Sequence, residues 1–434
     1  MNISEANEQH KFYKNSVILI YFIIVFNCIY KALITFLHFP DFIVYASDFA
    51  WVFLGILLIP REKRSDYINN TNIAVLIIGL LFCETLIGYV INLYNPLIYL
   101  WGVRTFFRYF VFFMACICFL NKKNVLGILD FLYYILIVNV AFSAFEHMMG
   151  YDLDSVTGLY TEGKTIIGGS AGLNVLMCIV CTYSLLQYFH NNWSLGKAAI
   201  PLIASVYMAA VGELKGFYVE LALIIIFSVI LTKLTVKKVL GTIGGLFGLF
   251  WGVRIYEYFY GHMNSGFFTT QQILDYAGSN GASYGQHALN RLTALPYMWD
   301  NFLIGTVKKI FGLGLGYADT VSFKAFSSQF QETNANLGYQ FFFSSLEITN
   351  IGALGLLLYV LFLIAVFIYA NRMKKNAEPD VIPCYVLTQI ICLICVFLMV
   401  YNQSLIIDNA AYNIFLVLAL PYALERSKKH HNAA

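Results

Sequence analysis

Long apolar runs recur along the chain, separated by short polar breaks. A helix that crosses a bilayer needs about 20 mostly apolar residues. Twelve runs approach that length, at residues 16–37, 41–60, 72–93, 97–120, 124–147, 168–190, 196–212, 215–232, 237–258, 344–370, 381–403 and 407–424. The run at 196–212 is short, and 344–370 reads as one helix or as two pieces. None alternates polar and apolar with period two, so a transmembrane β-barrel does not fit. The first run lies too deep in the chain, and is followed by too many others, to be a cleaved signal peptide. The pattern therefore predicts an all-α polytopic membrane protein of about twelve spans.

Composition agrees. The chain is 59% hydrophobic and 17% aromatic, and only 12% is charged. Soluble domains carry about 25% charged residues, and disordered chains are poor in aromatic and apolar residues. A soluble multidomain enzyme and a disordered protein are both excluded.

Lys and Arg near the span ends set the orientation. Every second connection is basic: Lys11/Lys14, Arg61/Lys63/Arg64, Lys122/Lys123, Lys197, Lys233/Lys237/Lys238, Arg372/Lys374/Lys375 and Arg426/Lys428/Lys429. Both termini are then expected in the cytoplasm. One connection, 259–343, is long enough to fold over the outer face of the membrane. The chain divides into nine spans over 1–258, the large outer segment over 259–343, and three spans with a cytoplasmic tail over 344–434.

Seventeen of the 27 basic residues belong to those clusters, and ten do not: Lys31, Arg104, Arg108, Lys164, Lys215, Arg254, Arg291, Lys308, Lys309 and Lys324. All ten fall on the outer side or in the outer part of a span. A charge in mid-span costs a few kcal/mol to insert, about 2.5–3.5 on translocon scales, so such residues need a reason. Arg104 and Arg108 are four apart and share a helix face. Their planar forks suit phosphate oxygens, or they pair with Asp48 or Glu84 and hold the bundle together. Lys215 sits in the turn Gly212-Glu213-Leu214-Lys215-Gly216, and Lys164 in Gly163-Lys164-Thr165-Ile166-Ile167-Gly168. Glycines let a backbone approach a ligand closely, although either lysine would also serve as an exposed loop cation. Several cations on one face suit an anionic headgroup such as a lipid-linked pyrophosphate, with simple lipid binding as the competing explanation.

Within the outer segment, 286–303 mixes polar and apolar residues at near-helical spacing and reads as one or two short interfacial helices. Phe311-Gly312-Leu313-Gly314-Leu315-Gly316-Tyr317 lacks the strand and helix of a nucleotide-binding loop and reads as a tight turn that re-enters the membrane surface. Aromatic and amide side chains crowd 317–343, with Lys324 and Glu332, a chemistry that suits a sugar or an interfacial belt. Glu347 opens the next span as either a general base or a structural anchor. His262 and His287 are the histidines of the segment; His287 is a candidate base or a solvated loop residue, and no spacing marks a metal site. Nine cysteines lie in or beside the spans. Cys178-x-x-Cys181 and Cys392-x-x-Cys395 read as core side chains one turn apart rather than redox or metal pairs, since no His or carboxylate cluster accompanies them.

The layout resembles the bacterial O-antigen polymerase (Wzy-type) and O-antigen ligase superfamily of membrane glycosyltransferases with a GT-C-type fold. Arg291 is followed about twenty residues later by Gly312, Gly314 and Gly316; then come Glu347 with Gly352 and Gly355, Lys215 in an outer turn, and Lys164 with Gly168. The family usually has Arg where Lys215 stands. Ligases usually carry a His between the glycine turn and the next span; here Glu332-Thr333-Asn334-Ala335-Asn336-Leu337 has none, which points away from a ligase.

The resemblance implies an inner-membrane enzyme, independent of metal and cofactor, that joins repeat-unit oligosaccharides carried on undecaprenyl pyrophosphate at the outer face. Arg291 and Lys215, aided by Arg104, Arg108 and Lys164, would hold the donor pyrophosphate. Glu347, Glu332 or His287 would help the acceptor attack. Membrane lipids and a chain-length regulator protein are the expected partners, and nucleic acid is not. A lipid-linked oligosaccharide flippase is the competing class, but the chain shows no internal repeat of the kind transporters carry.

Overall fold

The computed structural model of the chain describes residues 3–59, 72–165, 169–233, 235–260, 289–321 and 323–433. Among these residues the secondary structure is entirely helical. Twelve long helices stand where the apolar runs predict them. They are α1 (Ile3–Leu37), α2 (Ala46–Leu58), α3 (Asn72–Asn92), α4 (Pro96–Phe119), α5 (Lys122–Met148), α6 (Ser170–Phe189), α7 (Leu195–Val211), α8 (Lys215–Ile230), α9 (Val236–Tyr260), α13 (Phe343–Lys374), α14 (Ile382–Tyr401) and α15 (Asp408–Ala433). Three short helices, α10 (Ala294–Asn301), α11 (Thr306–Phe311) and α12 (Gln329–Asn334), lie in the outer segment.

Among the described residues, eight stretches are long and apolar enough to cross a membrane: Tyr13–Leu37, Asp41–Leu58, Ile73–Asn92, Pro96–Phe119, Lys122–Met148, Ser170–Phe189, Phe343–Lys374 and Ile382–Tyr401. The other four expected spans are shorter or more polar. Helices α7 and α8 have 17 and 16 residues, about 25 Å at about 1.5 Å rise each and near the lower limit for a hydrocarbon core roughly 30 Å thick. On α9 the described apolar stretch covers Lys238–Gly252, and α15 ends in a basic, polar stretch.

Local sequence explains the helix starts. Asn95 accepts from the Leu97 amide at 3.0 Å, with Pro96 next in the chain. Asn121 accepts from Asn124 N at 2.9 Å, and Ser194 from Lys197 N at 3.4 Å. Each cap satisfies an amide that the first turn leaves open. Helix α6 is buried on every side from Gly172 to Phe189, as a helix that is apolar all round should be. Around it, α4 packs on α13 and α15 through interlocked rings of Phe110, Phe113, Phe362 and Phe415. The outward faces of α2, α3 and α9 expose Phe49, Ile73, Leu76, Val90 and Phe247. A belt of that kind belongs in hydrocarbon, since water-soluble monomers rarely expose such patches.

The two ends of the bundle differ. At one end Lys122 pairs with Glu378 at 2.6 Å and Asp380 at 2.7 Å, Lys374 donates to Gln389 at 3.0 Å, and Arg426 donates to Leu120 O at 2.6 Å. The other end gathers the connections at 38–45, 93–95, 149–165, 212–214, 289–342 and 402–407. There the loop after α5 is pinned from beneath. Glu146, fully buried, accepts from Gly158 N at 2.6 Å, and Asn139 accepts from Leu159 N at 2.7 Å. Gly158 holds φ +67, and a Cβ there would meet Asn139 at 2.6 Å. Asn139→Ala should leave the Leu159 amide unpaired at a cost of about 1–3 kcal/mol. Hydrogen exchange at residues 158 and 159 should then quicken well beyond that of α6; unchanged protection would refute the pinning role.

Candidate functional site

Three polar groupings lie at the loop-bearing end. The first surrounds Arg104 and Arg108 on α4. Their four-residue spacing does place them on one face, and both reach Asp48 on α2. Arg104 Nε donates to Asp48 Oδ2 at 3.1 Å, and Arg108 Nη1 to Asp48 Oδ1 at 3.3 Å. Arg108 also donates to Asp408, the first residue of α15, at 3.2 Å through Nη1, and pairs with it through Nη2. Tyr109 accepts from Arg108 Nη2 at 2.8 Å and donates to Asp408 Oδ1 at 2.8 Å. Trp51 Nε1 donates to Asp48 Oδ1 at 3.1 Å, and the Arg104 guanidinium lies 4.3 Å from the Trp101 ring centre. Two guanidinium groups thus meet two carboxylates. This is the bundle-holding alternative, with Asp48 as partner and Glu84 not involved. Asp408 is a partner that sequence reasoning missed, and its signal was an acid opening an apolar run.

The second grouping is built on a helix break. Gly352 inside α13 adopts φ +64 and ψ −169, so the predicted run at 344–370 is two pieces joined there. A break frees carbonyls, and the glycine turn satisfies them: Leu313 N donates to Thr349 O at 2.7 Å and Gly314 N to Asn350 O at 2.9 Å. Tyr94 donates to Leu315 O at 2.7 Å, and a Cβ on Gly102 of α4 would meet Gly316 N at 2.6 Å. The turn is therefore wedged between α4 and α13, backbone against backbone. It delivers Asp319, a further residue the sequence did not single out. Thr105 donates to Asp319 Oδ2 at 2.9 Å, and Asn350 Nδ2 to Asp319 Oδ1 at 2.8 Å. Burial pushes this carboxyl above its ordinary value, opposed by the Asn350 and Thr105 hydrogen bonds and by Arg108. Glu347, one turn before Asn350, is 2% exposed, and its Oε2 has no hydrogen-bond partner. Glu84 is buried with both carboxyl oxygens unpartnered.

The third grouping centres on Tyr401, at the end of α14. Arg291 lies 4.6 Å from its ring centre and 5.9 Å from that of Phe342. A Cβ on Gly216 would come 2.3 Å from the same Tyr401 ring, so the start of α8 abuts it too. Lys215, next to Gly216, pairs with Glu213 at 2.8 Å. Glu213 itself holds φ +51, a left-handed geometry uncommon for a residue with a side chain, in a turn that docks on Val156 O through Gly212. Burial raises the nearby Asp154 carboxyl above its ordinary value, with Glu213 adding and Lys215 opposing.

The groupings are linked by short tethers. Tyr401 and Asp408 bracket residues 402–407, and Phe342 immediately precedes the helix that carries Glu347. The backbone of Phe343 also donates to Asn402 O at 3.0 Å.

The remaining candidates sit apart from these contacts. Lys164 is exposed, its ammonium over Gly150. Glu332 is exposed on α12. Lys31 pairs with Glu162 at 2.8 Å, and Lys309 lies 4.9 Å from the Trp299 ring centre. His287, His262, Gly168 and the basic cluster at 61–64 lie outside the described residues. Cys178, Cys181, Cys392 and Cys395 are free and buried in the bundle. Among the described residues no group of three His, Cys, Asp or Glu is placed to hold a metal ion.

No protein-family model matches the chain, and no curated protein matches it. Its place among membrane proteins rests on its long apolar helices.

Proposed function

We propose that the chain is a polysaccharide polymerase. It would join oligosaccharide repeat units carried on undecaprenyl pyrophosphate into O-antigen or a similar surface glycan, at the outer face of the bacterial cytoplasmic membrane. The observation that carries this reading is the meeting at Tyr401 of Arg291 and of Gly216, next to Lys215 at the start of α8, from segments far apart in the chain. In the reading, a hydroxyl at the non-reducing end of a new unit attacks the anomeric carbon of the carrier-linked chain. Pyrophosphate departs with the bonding electrons. Arg291 and Lys215 stabilise that developing charge in a site of low dielectric, Lys215 exchanging Glu213 for a phosphate oxygen. Twelve spans with both termini in the cytoplasm, a GT-C-like arrangement, lipid contacts and a chain-length regulator as partner belong to the same proposal.

The pairing of Arg104 and Arg108 with Asp48 and Asp408 narrows the site. Arg108 is 5% exposed and shared between Asp48 and Asp408, and a buried ion pair of that kind gives up its partners only at a cost, so Arg108 acts as the frame of the site with Arg104 beside it on Asp48. Lys164, Lys308 and Lys324, which are exposed, suit the approach of an anionic headgroup.

A flippase is the second reading, because a broken helix beside buried acids is a transporter feature. The carbonyls freed at the break are, however, already taken by Leu313 N and Gly314 N. That leaves the break filled rather than open to an ion.

The test is to restore the gene to a strain lacking it and read glycan chain length. Lys215→Ala and Arg291→Ala should each reduce a full ladder to short products, and full-length ladders from both would sink the site assignment. Transfer of glycan to lipid A core by the purified protein would establish a ligase instead. Movement of labelled lipid-linked sugar without elongation would establish a flippase.

A further inference from the structure

We infer that Asp319 is the group that takes the proton from the acceptor hydroxyl. The inference rests on the polymerase reading and names a catalytic residue for it that the sequence motifs do not mark.

A general base must be held in a fixed direction, must keep a free lone pair, and must be open to the substrate. The carboxyl groups of this end of the bundle differ on those points. Glu347 is sealed at 2% exposure, inside α13. Glu332 is exposed on the short helix α12, where a long side chain is free to swing. Asp319 alone among these three carboxyls is both fixed and partly open. Each of its oxygens accepts one hydrogen bond, from Thr105 at 2.9 Å and from Asn350 at 2.8 Å, which leaves further lone pairs on both. Asn350 is held in turn, since its own Oδ1 accepts from Ala318 N at 2.9 Å. The backbone of Ala318 is fixed from the other side by Tyr339, whose hydroxyl donates to Ala318 O at 2.8 Å. Tyr94, half-buried against the glycine turn, lies close enough for Asp319 to act on it electrostatically. The carboxyl therefore sits on a scaffold in which α4, α13 and the outer segment each supply a contact.

The position suits the chemistry. Asn350 lies seven residues along α13 from Phe343, which follows Phe342, the ring beside Arg291, or roughly 10 Å at helical rise. That gap has to hold one hydrogen-bond reach at each end, an attack distance of about 3–3.5 Å, and the pyrophosphate itself. The step balances. The acceptor oxygen bonds to the anomeric carbon, the bond from that carbon to the pyrophosphate oxygen breaks, its electron pair leaves with the pyrophosphate toward Arg291 and Lys215, and the hydroxyl proton passes to Asp319. The base must be ionised to act, so elongation should fall as pH falls through its titration. Arg108 from α4, Glu347 from α13, Tyr94 and Tyr339 are the titratable or charged groups that set where this happens.

The test compares variants in membranes of the deletion strain, which supply their own lipid-linked repeat unit. Elongation is read against pH, and binding of labelled undecaprenyl pyrophosphate is read on purified protein. Asp319→Asn keeps the shape and the acceptor for Asn350, and its amide nitrogen can donate to Thr105 Oγ1, whose hydroxyl still has Gly102 O to donate to. It should slow elongation about 100-fold or more while binding the probe as the wild type does. Asp319→Glu should keep part of the rate and shift the acid limb of the pH profile. Elongation by Asp319→Asn within about threefold of wild type overturns the proposal, as does loss of probe binding in step with elongation, which marks a structural residue. If Asp319→Asn does not accumulate, an unshifted acid limb in Asp319→Glu overturns it. Failure of the wild type itself to bind the probe or to elongate would instead remove the polymerase reading, and the proposal with it.

Discussion

Arg108→Ala is expected to destabilise the detergent-solubilised protein by about 3–5 kcal/mol, the usual cost of removing one partner from a buried ion pair. Arg108 is 5% exposed and bridges Asp48 on α2 to Asp408 on α15 while bonding Tyr109. Without it, Asp408 keeps a hydroxyl in place of a cation, and Asp48 keeps Arg104. Arg108→Lys should recover little, because a single ammonium cannot span two carboxylates and a phenol in the way a planar fork does. The double variant Arg108→Ala with Asp408→Ala should be more stable than the sum of the single losses, since each single change strands a buried charge. Thermal unfolding followed by size-exclusion chromatography of the four proteins measures this coupling. Losses that simply add would show that the pair does not act as a unit. Loss of glycan elongation with stability intact would place Arg108 on the substrate rather than in the frame.

The contrast between α4 and its partners shows what the chain makes legible. Helical spacing is local, so the shared face of Arg104 and Arg108 could be read from four residues. The break within 344–370 and the tightness of the turn at 312–316 were also open to reading, because glycine announces backbone that other residues avoid. The apolar runs located every long helix, since burial in lipid or protein demands continuous hydrophobicity. Partnership is different. Arg108 and Asp408 lie 300 residues apart, and nothing periodic joins them. Asp319 and Tyr401 gain their roles from what folds against them, so a reading that ranks residues by charge or motif passes over both. Lys215 shows the reverse case. It was legible as an outer cation, but its pairing with Glu213 depends on a left-handed turn that only the fold displays.

Gly352→Ala should be as damaging as the loss of Arg108, by a backbone route. At φ +64 and ψ −169 the residue occupies a region that is essentially reserved for glycine, worth about 1–3 kcal/mol of strain for any other. A Cβ there would also stand 2.3 Å from Ile310 O and 2.5 Å from Gly312 N. Gly312 presents the mirror constraint, since its own Cβ would stand 2.5 Å from Asn350 O. Neither backbone can yield without parting the turn from the break. The expected result is an undocked turn. Leu313 N and Gly314 N lose Thr349 O and Asn350 O, and Asp319 loses the orientation that Asn350 gives it. Gly248→Ala on α9 is the control, because a Cβ at that position meets nothing within 4 Å, and alanine in a helix is favoured over glycine by up to about 1 kcal/mol. Hydrogen exchange resolved to the amides of Leu313 and Gly314 distinguishes the outcomes. Fast exchange in Gly352→Ala, with slow exchange in Gly248→Ala, is the predicted pair. If the two amides stay as protected in Gly352→Ala as in the wild type, the wedge between α4 and α13 does not depend on this glycine. Elongation in Gly352→Ala should fall while labelled undecaprenyl pyrophosphate still binds, because Arg291 meets Tyr401 and Phe342, and Lys215 meets Glu213, outside the turn.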